Sequence, residues 1–84
     1  MEPTEIQAKL LELLTRIAPD IDPRSVVTDQ DFRDQFDFDS MDGLHFAVAV
    51  SEAFGIPVAD TDYGRLANLR SAVDFVQGGL TRKA

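Results

Sequence analysis

Apolar residues recur at Ile6, Leu10, Leu13, Leu14 and Ile17, the three-and-four spacing that lines one face of an α-helix. Thr4-Glu5-Ile6-Gln7 reads as a capping box with Pro3 before it, so a first helix is predicted over 4–17. Ala18-Pro19-Asp20-Ile21-Asp22-Pro23 breaks the pattern. About twenty residues then pass before the next strong helical period, and connections of that length are often functional. Val26, Val27, Phe32, Phe36 and Phe38 are expected to pin this connection to the helices, because an unanchored loop would not hold so many large apolar side chains.

Asp39 or Ser40 is placed to cap a second helix running to Phe54, where Gly55 supplies a left-handed end and Pro57 prevents continuation. Its apolar residues fall on two nearly opposite stripes. Phe46, Val50 and Phe54 form one, expected in the core; Met41, Leu44 and Val48 form the other, expected to be partly exposed to a partner. From Ala59 to Leu66 the polar content and Gly64 allow only a short helical turn. Asn68 then caps a last helix with Leu69, Val73, Val76 and Leu80 on one face, loosened by Gly78-Gly79 and fraying over 81–84. No segment alternates with the period of a strand. The expected fold is all-α, a small four-helix bundle of three main helices and one short one, forming a single domain over 1–84.

Composition bounds the function classes. With 84 residues, the chain is too short for a core plus a carved substrate cavity. Its 44% apolar and 27% charged residues suit an ordinary folded domain rather than a disordered chain. Cysteine is absent, which removes disulfides, thiolate metal sites and a cysteine nucleophile. No leader pattern or apolar run of about 18 residues stands out, so a cytoplasmic monomer without a membrane span is expected. The net charge of −7 argues against nucleic acid as a partner. Residues 20–42 hold eight acids (Asp20, Asp22, Asp29, Asp31, Asp34, Asp37, Asp39, Asp42) and only two bases, Arg24 and Arg33. That segment is either a solvated acidic loop or a field that steers basic partners to the start of the second helix.

Catalytic constellations are missing. His45 is the only histidine, so no multi-histidine metal site can form, and no general base is placed beside a nucleophile. A calcium loop begun at Asp37 would need glycine sixth and glutamate twelfth, where the chain has Asp42 and Val48. No catalytic or metal-binding residue is therefore predicted, and the chain is not read as an enzyme. Ser40 remains. It ends the acidic connection, adjoins the Met41 stripe and opens a helix, where free N–H groups favour an attached anion such as a phosphodiester. The competing reading is a helical interaction module in which Ser40 is only a cap.

Asp31-Phe32, then Phe36-Asp37-Phe38-Asp39-Ser40-Met41-Asp42, Phe54-Gly55-Ile56-Pro57-Val58 and Leu69-Arg70-Ser71-Ala72-Val73-Asp74-Phe75-Val76 together resemble the acyl carrier proteins, over nearly the whole chain. The resemblance implies that Ser40, matching the serine of the family's Asp-Ser-Leu motif, receives 4′-phosphopantetheine from coenzyme A through a magnesium-dependent phosphopantetheinyl transferase. The arm's thiol then holds acyl groups as thioesters for fatty-acid, polyketide or specialised lipid biosynthesis. By the same resemblance Asp37, Asp39, Met41, Asp42, Leu44 and Val48 are expected to meet the basic patches of the transferase and of acyl-loading and acyl-processing enzymes (ligase, ketosynthase or acyltransferase). Phe46, Val50 and Phe54 would double as the wall of an acyl pocket. The sequence departs from the family pattern at Asp37, where glycine is common, and at Gly43 inside the helix. After Asp42 the second helix carries only Glu52 as an acid, which fits a specialised pathway at least as well as primary fatty-acid synthesis. The Gly-Gly pair that precedes the motif in peptidyl carriers is absent.

Overall fold

A computed structural model describes residues 1–83; Ala84, the end of the expected frayed tail, lies outside the described residues. Helix α1 spans Pro3–Ile17 and buries Ile6, Leu10, Leu13 and Leu14. Its cap, Glu2, lies two residues before the expected one, Thr4. Pro3 occupies the first helical position, where its missing N–H is no loss, and the Glu5 carboxylate accepts from the Glu2 amide at 2.9 Å. The box at this end is therefore Glu2 with Glu5, not Thr4 with Gln7.

The connection that follows is ordered by local caps and by an aromatic cluster. Asp22 accepts from the Arg24 amide to start a 3-10 turn at Pro23–Ser25, and Asp31 accepts from the Arg33 amide to start the short helix α2, Phe32–Gln35. Phe32 is fully buried, with ring centroids 5.6 Å from Phe38 and 5.8 Å from Phe46. Phe36 and Val26 pack half-buried against the core, as expected of anchors. Val27 does not: its side chain is exposed. Gln35 holds it through the backbone instead, accepting from the Val27 amide at 2.7 Å and donating to the Val27 and Gln30 carbonyls. Two further backbone bonds, Phe32 N–H to the Ala67 carbonyl and Arg70 N–H to the Thr28 carbonyl, both 2.8 Å, fasten the connection to residues 67–70.

Helix α3 runs from Ser40 to Phe54 and ends at Gly55, whose φ of 64° is the left-handed conformation that glycine adopts without a steric penalty. A 3-10 helix over Asp60–Leu66 follows, and α4 occupies Leu69–Lys83, with Asn68 accepting from the Ser71 amide at 2.8 Å as its cap. The Gly78-Gly79 pair does not loosen α4. Gly79 is buried against Ile56, and a Cβ there would come within 3.0 Å of Ile56 Cδ1, so glycine lets the 55–58 turn lie close on the helix. Helix α1 packs on both α3 and α4, and the 60–66 helix bridges those two. No strand occurs among the described residues, and their buried side chains form one core.

Candidate functional site

The N-terminus of α3 is held by two aspartates. Asp39 Oδ1 accepts from the Asp42 amide at 2.9 Å, while Asp42 Oδ2 accepts from the Asp39 amide at 3.2 Å. Because Asp39 performs the cap, Ser40 does not have to. Ser40 is the first helical residue, is exposed, and its hydroxyl has no hydrogen-bond partner among the described residues. The Ser40 and Met41 amides likewise have none there, as expected for the first turn of a helix. An anion joined to the Ser40 oxygen would meet these N–H groups and the positive end of the α3 dipole.

Beside Ser40 lies an open groove of about 630 Å³ between the first turns of α3 and the 60–66 helix. Phe38, Met41 and Leu44 line one side and Tyr63, Leu66 and Ala67 the other, with Asp31 and Arg33 also on its wall. The second stripe of α3 is exposed as expected: Met41 by 56%, Leu44 by 38% and Val48 by 48%. These three residues do not share one hollow. Met41 and Leu44 line the groove, Val48 lines a smaller depression, and Tyr63 lines both. Asp37 and Asp42 do not line the groove but a third hollow, with Phe36 and Ile17. Phe46, Val50 and Phe54 are filled core positions and form no part of the groove's wall.

Sequence reasoning did not find Tyr63, Leu66 and Ala67. Tyr63 and Leu66 sit on a 3-10 segment whose apolar residues have no α-helical period, and Ala67 follows directly after it, so no pattern aimed them at Ser40. Elsewhere, His45 is exposed, and no group of three or more His, Asp or Glu residues comes together to hold a metal ion among the described residues.

A profile of the family described as phosphopantetheine attachment site matches residues 8–76. The chain is 30% identical over 74 residues to an acyl carrier protein of Micrococcus luteus, covering 88% of this chain and 90% of that one. This chain belongs to the acyl carrier protein family. It is similar as well to acyl carrier proteins of Rhodococcus erythropolis (35% identical over 72 residues, 86% of this chain and 75% of that one) and Thermosynechococcus vestitus (29% over 73 residues, 83% and 90%). As an acyl carrier protein it is a carrier, not a catalyst. Its prosthetic group is 4′-phosphopantetheine, whose thiol holds acyl groups as thioesters for the enzymes that process them. No helix among the described residues of the carrier is long and apolar enough to cross a membrane.

Proposed function

We propose that Ser40 bears the phosphopantetheine arm and that residues 1–84 act as one carrier domain. The observation that carries this reading is the release of Ser40 from capping: Asp39 takes that role, and an exposed, unbonded hydroxyl is left at the mouth of the groove. In the transfer, the Ser40 oxygen forms a bond to the pantetheine-bearing phosphorus of coenzyme A as the pyrophosphate bond breaks. The leaving group is 3′,5′-ADP, and the hydroxyl proton passes to the transferase. The chain's own part is to hold the nucleophile in the open and to favour the resulting phosphodiester with the first amides of α3.

Asp37, Asp39 and Asp42 supply the acidic flank that basic partners approach, and Met41, Leu44 and Val48 supply the apolar contact beside it. These partners are the transferase and the ligase, ketosynthase or acyltransferase enzymes of fatty-acid, polyketide or specialised lipid synthesis. The exposed face of α3 carries one acid, Glu52, after Asp42, which fits a specialised pathway at least as well as primary fatty-acid synthesis. Incubation with coenzyme A, magnesium and a broad-specificity phosphopantetheinyl transferase should add the mass of one phosphopantetheine. Ser40→Ala should abolish the gain. A gain that survives in Ser40→Ala moves the site elsewhere, and no gain in the unaltered protein ends the proposal.

A further inference from the structure

Residues 20–42 have two bases, and the structure gives them different circumstances. The Arg24 guanidinium is paired with Asp22, its Nε 3.3 Å from Oδ1. Arg33 is exposed, and its guanidinium makes no ion pair or hydrogen bond with any described residue, although acids surround it in sequence. Only its backbone is engaged, donating to Asp31 Oδ1 at 3.0 Å. Arg33 also lines the same groove as Ser40. A cation kept free of its acidic neighbours, on the wall of the groove that the attached anion would enter, has a partner to find.

We infer that Arg33 binds the phosphodiester of the arm, an assignment that rests on attachment at Ser40. The need follows from charge. A phosphodiester adds a negative charge to a segment that already carries a net −6, next to Asp39 and Asp42, and like charges that close repel. The Asp39 and Asp42 carboxylates are committed to the α3 box and cannot move away without uncapping the helix. The first amides of α3 contribute partial charges only, whereas guanidinium presents a full charge and a planar fork of donors that matches two phosphate oxygens. Its arrival from α2, on the wall of the same groove, would set which way the arm leaves Ser40. Arg33 is thus a positioning residue for the arm.

The test uses the full chain with and without the arm, loading being confirmed by mass. In nitrogen-15-labelled protein the Arg33 Nε–H resonance should shift on loading, and the shift should shrink at about 1 M salt, where screening reaches down to about 3 Å. The phosphorus-31 resonance of loaded Arg33→Gln at low salt should sit where the unaltered protein's lies at high salt, and Arg33→Lys should fall between. Because the Arg33 side chain makes no bond in the fold, Arg33→Gln should melt like the parent before loading. A loaded protein whose Arg33 Nε–H does not move, or whose phosphorus resonance is the same in Arg33→Gln, overturns the inference and leaves Ser40 attachment intact. Failure of the unaltered protein to gain mass overturns both.

Discussion

Asp39 and Asp42 exchange hydrogen bonds, each carboxylate accepting from the other's backbone amide at 2.9 and 3.2 Å. Asp42 therefore does two things: it completes the cap of α3, and it carries charge beside Ser40. Asp42→Asn separates them, because the amide oxygen can still accept from the Asp39 N–H. It should leave the melting temperature near the parent's, yet slow loading by the transferase at low salt, the deficit closing as salt rises. Asp42→Lys should slow loading further and also lose stability. Asp39→Ala removes the principal cap acceptor and should cost about 0.5–2 kcal/mol. An unchanged loading rate for Asp42→Asn at low salt would remove the steering role.

Gly43 and Gly79 make a test of sign. A Cβ at Gly43 would meet Phe38 Cε1 at 4.0 Å, an ordinary contact, so the site does not need glycine for packing. Gly43→Ala should stabilise the protein by up to about 1 kcal/mol through helix propensity. At Gly79 the same change sets a methyl 3.0 Å from Ile56 Cδ1 and 3.3 Å from Cγ2. Overpacking of that kind costs about 1–3 kcal/mol. Urea unfolding of the two variants should therefore shift in opposite directions; a stabilising Gly79→Ala would show that Ile56 relaxes freely.

How much of this was legible depended on whether the determining contact was local. Helices α1, α3 and α4 follow from apolar spacing, and the caps at Asn68 and Gly55 stand where the sequence puts them. The two-sided α3 was legible as well, because Phe46 and Met41 differ in face by helical geometry alone. Gly79 misleads because its reason, Ile56, is far along the chain. Gln35 gives no sign in a propensity pattern that it will staple Val27. The groove wall at Tyr63 and Leu66 depends on how the 60–66 helix docks, which periodicity does not encode. At Ser40 the sequence left capping undecided between two residues, and the geometry of one hydrogen bond, Asp42 N–H to Asp39, decided it.

The Asp22 carboxyl lies below the usual carboxylate range, chiefly because it accepts from the Arg24 backbone N–H and then because it meets the Arg24 guanidinium. A pKa that is lower in the folded state adds stability above the unfolded value, and that stability is lost as pH falls through the folded value. The 22–25 turn should accordingly hold through neutral and mildly acid pH and loosen only below about pH 4. In Arg24→Ala the carboxyl titration followed by NMR should return only part of the way to the ordinary value, because the backbone donor remains. A complete return would place the whole effect on the guanidinium.

Phe32 joins the core to the site. Its ring lies 5.6 Å from Phe38, the residue just before Asp39-Ser40, and meets Phe46 of α3 edge-on at 5.8 Å, while its N–H is bonded to the Ala67 carbonyl on the groove's other wall. Both sides of the groove are thus referred to one residue, one through its ring and the other through its backbone N–H. Phe32→Ala should cost about 3–5 kcal/mol, a large share of a small domain's stability, so loss of activity there would say little. Phe32→Leu keeps an apolar side chain and should cost roughly 1 kcal/mol. Its effect should be local: faster amide exchange over residues 31–39 with α1 little changed, and slower loading at Ser40 out of proportion to the drop in melting temperature. If exchange instead rises evenly through α1, α3 and α4, Phe32 serves the core alone and the groove takes its shape from another contact.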